Sequence, residues 1–279
     1  MLTLIRYAGQ PMLDGLRPVS SATCACKICG SPAPLYGVVD FHKSCEEARG
    51  LHFSLAGVPI YYRRCGHCKF LFTDAFDDWT AEQFKANIYN EEYKLVDPDY
   101  SDLRPRENAG VVARLWGALG RQTSVLDYGG GNDTFCAVLR EAGFAAAVTY
   151  DPMVPQYAER PAGKYDLITS FETFEHLPDP LGSIKSILEF AADPGLIMFT
   201  TLLQPADFEQ QRLNWWYVGP RNGHISLFSR QALTLAWERH GYRVASLANS
   251  SVHFAFRKLP SHLAHLQPAV NAAVESCAA

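Results

Sequence analysis

Val125-Leu126-Asp127-Tyr128-Gly129-Gly130-Gly131-Asn132-Asp133-Thr134 joins a short apolar strand to a glycine turn, and the turn to a helix. The helix carries Phe135, Val138 and Leu139 on one face and closes near Gly143. Working outward, Ala145 to Tyr150 and Tyr165 to Ser170 read as further strands, with Ile184, Ile187 and Leu188 marking a helix. Gly195 to Leu203 is rich in strand formers, and Gln231 to Arg239 is helical up to Gly241. Tyr242 to Leu247 and Val252 to Arg257 suggest a closing antiparallel pair. Upstream, Val111, Val112, Leu115 and Leu119 sit at helical spacing after Arg104-Pro-Arg106-Glu107. Alternating strands and helices predict an α/β fold, a parallel sheet with helices on both faces.

Ligands of such sheets bind at the carboxyl ends of strands, near the point where strand order reverses. The glycine turn is therefore the default ligand loop. It is not a dinucleotide fingerprint, because Thr134 holds the third glycine position and two acids, Asp127 and Asp133, flank the loop. Carboxylates repel a pyrophosphate but favour a ligand bearing an ammonium and a sulfonium. Asp151 lies 22 residues after Gly129, where a carboxylate can take both hydroxyls of a ribose. The alternative for Asp127 and Asp151 is an ordinary acid at a strand end.

Ahead of this region stand two Cys-x-x-Cys knuckles, Cys26-Lys-Ile-Cys29 and Cys65-Gly-His-Cys68, separated by 35 residues. Two such knuckles close a tetrahedral thiolate site for zinc (Zn2+), and four thiolates leave no open position. The ion is expected to be structural. Cys24, His42, Cys45 and His67 are further possible ligands, whereas Cys136 and Cys277 read as free thiols. Short strands at Val58 to Tyr62 and Phe70 to Thr73 suggest a small zinc-ribbon-like domain.

At this point the chain resembles the class I S-adenosylmethionine-dependent methyltransferases, from about Val111 to Lys258. Phe171-Glu172-Thr-Phe-Glu175-His176-Leu-Pro-Asp179-Pro180 looks like the segment after their fourth sheet strand. Gly223-His224-Ile-Ser-Leu-Phe228-Ser resembles the carboxyl-terminal part of small-molecule and sugar methyltransferases. The resemblance implies a Rossmann-like methyltransferase sheet that binds S-adenosylmethionine. Asp127, Gly129, Gly130 and Gly131 would lie around the methionine moiety, Asp151 and Pro152 at the ribose, and Phe171 and Glu172 along the floor. Two departures stand out. Asp133 replaces a glycine common in relatives, and the 14 residues between Asp151 and Asp166 are too few for a full helix and strand. The third sheet strand is thus expected to be vestigial.

His176 leads the candidates for a base, since an imidazole accepts a proton near neutrality. Glu175 or Glu172 would orient it, and in the zinc-bearing sugar C-methyltransferases this chain partly resembles, the histidine at that position has a base-like role. His224 is the second candidate, following Asn214-Trp215-Trp216-Tyr217, where Tyr217 offers a hydroxyl. The bland readings are a helix-capping or core His176, a structural His224 and tryptophans that only pack. Tyr100 and Arg104, in the segment from Tyr89 to Arg106, are placed near the cofactor as parts of a lid.

The expected domains are 1–80 (zinc-binding), 81–110 (linker or lid), 111–260 (methyltransferase) and 261–279 (tail). The chain has 279 residues, a net charge of −4, 48% hydrophobic and 19% charged residues, and a pI near 6.1. That balance offers no electrostatic footprint for nucleic acid. Residues Met1 to Gln10 show no export signal and no stretch reaches membrane-spanning length, so a cytoplasmic protein without a membrane partner is expected. The acceptor predicted is a small molecule: a sugar, a nucleotide-sugar or a secondary metabolite. The competing readings are a ribosomal RNA base methyltransferase with a zinc module, and a non-catalytic zinc- and cofactor-binding module. Neither the acceptor atom nor the oligomeric state is legible.

Overall fold

The computed structural model describes residues 3–5, 16, 22–247 and 251–266. Its strands in chain order are β1 (Thr3–Ile5), β2 (Thr23–Ala25), β3 (Pro32–Asp40), β4 (Leu51–Phe53), β5 (Pro59–Arg64) and β6 (Leu71–Phe72). After these come β7 (Ser124–Tyr128), β8 (Ala146–Tyr150), β9 (Tyr165–Ser170), β10 (Ala191–Thr200), β11 (Ser226–Leu227), β12 (Arg243–Ser246) and β13 (Val252–Phe256). The chain divides into two compact units. One comprises 1–98, 175–180 and 202–232; the other comprises 99–174, 181–201 and 233–279.

The second unit is built on a six-stranded sheet of order β12-β13-β10-β9-β7-β8. Strands β8, β7, β9 and β10 run parallel, and β13 and β12 close the sheet antiparallel. The chain moves from β7 outward to β8, then returns past β7 to β9, so strand order reverses between β7 and β9. Between β8 and β9 there is one short 3-10 turn, Pro155–Tyr157, and no added strand, so β8 forms the edge. This is the truncation the short Asp151–Asp166 spacing foretold. Val125, Leu167, Leu196 and Met198 of the central strands pack with Val112, Trp116, Phe135 and Leu139 from helices Leu103–Trp116 and Thr134–Glu141. The first helix begins two residues earlier than Pro105, which its first turn tolerates because amide donors there have no helical partner. Elsewhere in the unit Phe174, Phe199 and Trp237 stack, with centroids 4.4 to 5.9 Å apart.

The first unit holds an antiparallel sheet of order β11-β6-β5-β3-β2 and a parallel β1–β4 pair. It does not stop near Thr80, the boundary expected from the sequence. Its core joins Phe41, Tyr62 and Phe76 to Phe84, Ile88, Tyr93 and Val96, and to Phe208, Trp215, Tyr217 and Val218. These rings are buried together, so residues 81–98 belong to this unit by packing rather than forming a linker, and residues 202–232, expected within the 111–260 methyltransferase domain, belong to it as well. The predicted tail is described only up to Leu266, and Cys277 lies outside the described residues.

Candidate active site

Geometry at the sheet begins with Asp127 at the end of β7. Its side chain is turned inward, 3% exposed, and accepts a hydrogen bond from Thr169 Oγ1 at 2.7 Å. A side chain at Gly130 would put its Cβ 2.3 Å from Asp127 Oδ2, so the turn has to be glycine there to cross the carboxylate. Burial pushes the Asp127 carboxyl up to about 7, with Thr169 opposing and Asp151 and Asp133 adding to the rise. The sequence suggested an ionised acid facing a ligand; the structure shows a buried carboxyl beneath the turn. Asp133, the second flanking acid, is ion-paired with Arg140 and accepts from Thr149 Oγ1 at 3.0 Å. Its charge is therefore met within the protein.

Asp151, at the end of β8, accepts from Gly131 N at 2.9 Å through Oδ2 and from Met153 N at 2.8 Å through Oδ1. It ties the glycine turn to the neighbouring strand. Burial raises its carboxyl, while those backbone amides act in the opposite direction. Pro152 and Met153 continue the turn, and Gly131 has no heavy atom within 4 Å of where a Cβ would stand. Beyond β9, Glu172 adopts a left-handed backbone (φ 50°), uncommon for a residue with a side chain. It is held by Thr200: Glu172 N donates to Thr200 Oγ1 at 2.8 Å, and that hydroxyl donates to Glu172 Oε1 at 2.8 Å. Arg104 lies 3.7 Å from Glu172 Oε2. Phe171 packs edge-on against Phe135. Tyr100 is on the surface of the same unit.

The first unit gathers Glu175, His176, His224 and Tyr217. Segment 175–178 is laid along β11, with Ile225 N donating to Glu175 O at 2.8 Å and Ser226 Oγ to Leu177 O at 2.6 Å. The loop before His224 is pinned by Asn222, whose side chain donates to Val96 O and accepts from Cys45 N. Tyr62 Oη donates to His224 O at 2.7 Å. His176 Nδ1 lies 3.1 Å from Gly223 O, and a Cβ on Gly223 would come 3.0 Å from that nitrogen. His224 Nδ1 lies 2.8 Å from Tyr217 O. The two imidazoles are 5.0 Å apart, and Glu175, fully buried, reaches to 3.9 Å from His176 Nε2. Tyr89 contacts the His176 ring edge-on, and Tyr217 packs on His224 at 4.2 Å. The sequence named the members of this cluster but not Asn222, Tyr62 or Cys45 as their supports, since each lies far from the histidines in the chain.

Cys26, Cys29, Cys65 and Cys68 each bring sulfur within 4.8 Å of the others. Cys26 and Cys68 sulfurs are 3.6 Å apart, and those of Cys29 and Cys65 are 3.4 Å apart. Ile28 N and Cys68 N donate to Cys26 and Cys65 sulfur, the amide pattern that supports bound thiolates. Of the other possible ligands, His42 Nδ1 is 2.6 Å from Ser54 O and Cys45 is 3.4 Å from His224 Nδ1. Lys27, inside the first knuckle, donates to Pro178 O at 2.9 Å and Thr73 O at 3.2 Å and is ion-paired with Asp77. Cys136 is a buried free thiol.

Residues 100–247 match a family model described as a methyltransferase domain, over more than half of the chain. The chain belongs to this methyltransferase-domain family. Among curated proteins it is 28% identical over 95 residues to the ubiquinone biosynthesis O-methyltransferase of Burkholderia vietnamiensis (strain G4 / LMG 22486), 33% of this chain and 40% of the other. Over 49 residues it is 39% identical to the enzyme of the same name from Vibrio campbellii (strain ATCC BAA-1116), 18% of this chain and 21% of that one. The chain thus spans about two fifths or less of these relatives' length. An O-methyltransferase family protein from Burkholderia thailandensis is similar in structure, with 16% identity, 64% and 63% of the two chains covered and a TM-score of 0.48. The plantazolicin methyltransferase BamL, solved with a triazolic desmethylPZN analog and SAH, gives 14% identity, 71% and 86% coverage and a TM-score of 0.45. Among the described residues, no helix is long and apolar enough to cross a membrane.

Proposed function

We propose that the chain methylates a small-molecule acceptor, a sugar, nucleotide-sugar or secondary metabolite, with His176 receiving the acceptor's proton and a structural zinc on the four cysteines. The observation that carries this reading is the anchoring of His176. A carbonyl oxygen only accepts, so Nδ1 carries the proton toward Gly223 O and Nε2 keeps its lone pair. Glu175 stands 3.9 Å from that Nε2, placed to stabilise the imidazolium that forms on protonation. His224 is fixed in the same tautomer by Tyr217 O and is the second candidate base.

The residues around the glycine turn suit S-adenosylmethionine. The space over Gly131 admits a ligand against the backbone, Asp151 offers paired acceptor oxygens, and Glu172 with Arg104 offers both charges for an amino-acid end. Phe171 and Pro152 supply apolar edges, and Tyr100 a ring. Bound there, the cofactor supplies a methyl group already activated on a positive sulfur. Transfer of that methyl would leave the cofactor's sulfur neutral and the acceptor's proton for this chain to remove. The acceptor's proton passes to His176 Nε2. Orientation and proton removal are what the protein contributes.

The test uses His176→Ala and a panel of sugars, nucleotide-sugars and phenols, measuring S-adenosylhomocysteine formed. Turnover of any accepted compound should fall by roughly 10²–10⁴-fold, with the calorimetric affinity for S-adenosylmethionine unchanged. Unaltered turnover would remove His176 as base.

A further inference from the structure

Glu175, His176 and His224 do more than form a candidate base. One ligand-type atom from each lies within 4.8 Å of the other two. Both imidazoles set Nδ1 against a backbone carbonyl, Gly223 O for His176 and Tyr217 O for His224, which fixes the proton on Nδ1 and makes Nε2 the unprotonated nitrogen of each ring. Carbonyls that fix the tautomer in this way are the usual outer support of metal-binding histidines. The third donor, Glu175, is a fully buried carboxylate, and buried carboxylates are stable when set against positive charge. Two imidazoles and one carboxylate suit divalent first-row transition ions rather than magnesium or calcium, which prefer oxygen ligands throughout.

We infer that these three side chains bind a divalent transition cation through His176 Nε2, His224 Nε2 and the Glu175 carboxylate. Distances support closure. Donors about 2.1 Å from an ion are at most about 4.2 Å apart, so the Glu175–His176 pair already fits at 3.9 Å. All three donor atoms lie within 4.8 Å of one another, so any closing they need is at most roughly half an ångström, within reach of small side-chain rotations. This set shares no residue with the four-cysteine cluster, and it differs in softness. The consequence rests on the reading of His176 as base: a cation on Nε2 occupies the lone pair that would take the acceptor's proton. Occupancy therefore inhibits methyl transfer.

Protein carrying one zinc per chain is titrated with Co2+, following visible absorption and calorimetric heat. One further equivalent should bind, with the spectrum of nitrogen and oxygen ligands and without thiolate charge-transfer bands. Glu175→Gln and His224→Ala should each weaken it by roughly tenfold or more, with His176→Asn as the second variant if His224→Ala does not fold. Folding is checked by circular dichroism and S-adenosylmethionine binding. Absence of a second equivalent, or one that all three variants leave unchanged, overturns the site. Two mixed outcomes separate the two readings. Cation binding at these residues without loss of turnover keeps the site and removes the base. No cation binding, with turnover still lost in His176→Ala, removes the site and keeps the base.

Discussion

The two units secure their chemistry by opposite means. In the sheet unit, Asp127, Asp151 and Phe171–Glu172 stand at the ends of three strands related by β-pairing register, so the backbone ladder alone sets their spacing. In the other unit, Cys26, Cys65, His176 and His224 come from segments separated by tens of residues. Closing those loops costs conformational entropy. A core of aromatic rings and the cysteine cluster are what offset it. A side chain on a ladder tolerates local damage; one stitched in by loops depends on the stitches.

The sharpest way to break this comparison is to remove the stitch. Metal analysis of the wild type should return one zinc per chain, and Cys65→Ser with Cys68→Ser, or chelation, should abolish it. Structural zinc contributes on the order of 10 kcal/mol to small domains, so the near-ultraviolet circular dichroism of the tryptophan-rich unit should collapse. Affinity for S-adenosylmethionine, whose proposed site lies on the sheet unit, should suffer far less than turnover. A double variant with unchanged spectrum and turnover would make the clip dispensable.

The same contrast explains what the sequence disclosed. Strands β7 to β10 and the closing hairpin were legible because apolar runs, glycine turns and helical spacing are local signals. The cysteine knuckles were legible because each pair falls within four residues. The pairing of His176 with His224 was not, though both residues were singled out, because 47 residues intervene and no periodicity relates them. Nor did the sequence show Asp127 turned inward. Its neighbour Thr169 sits on an adjacent strand, and a partner across a ladder is visible only once the register is known. The boundary near Thr80 missed because Phe84, Ile88 and Tyr93 look like any amphipathic stretch until Trp215 and Tyr217 pack with them.

Asp127 gives the second test, at the sheet. Burial raises its folded carboxyl from 3.8 to about 7. Between those values the native state keeps a proton the unfolded chain has released, so stability is highest at low pH and is lost as pH rises through about 7. At about 1.4 kcal/mol per unit, the full loss is roughly 4 kcal/mol. Asp127→Asn keeps a neutral polar group there and should flatten that slope. Urea midpoints measured at pH 5 and pH 8 should fall less in the variant than in the wild type. Parallel profiles would mean that the carboxyl is already ionised at pH 5.

Asp151 yields the smallest effect and the finest discrimination. Each of its oxygens already accepts one backbone amide, from Gly131 or Met153, yet a carboxylate oxygen has two lone pairs. Both can therefore take a ribose hydroxyl without losing the turn. Charged hydrogen bonds contribute about 1.5–3 kcal/mol, so Asp151→Ala should weaken S-adenosylhomocysteine roughly ten- to a hundredfold. Loss of the turn would weaken any ligand of the loop equally. Pairing the variant with the 2′-deoxy analogue separates the two causes: the substitution should cost the analogue less than the parent, because one hydroxyl is already gone. Equal losses for both ligands would make Asp151 a brace for the glycine turn and nothing more. The ladder would then set the site through its backbone alone, the contrast with the stitched unit in its strongest form.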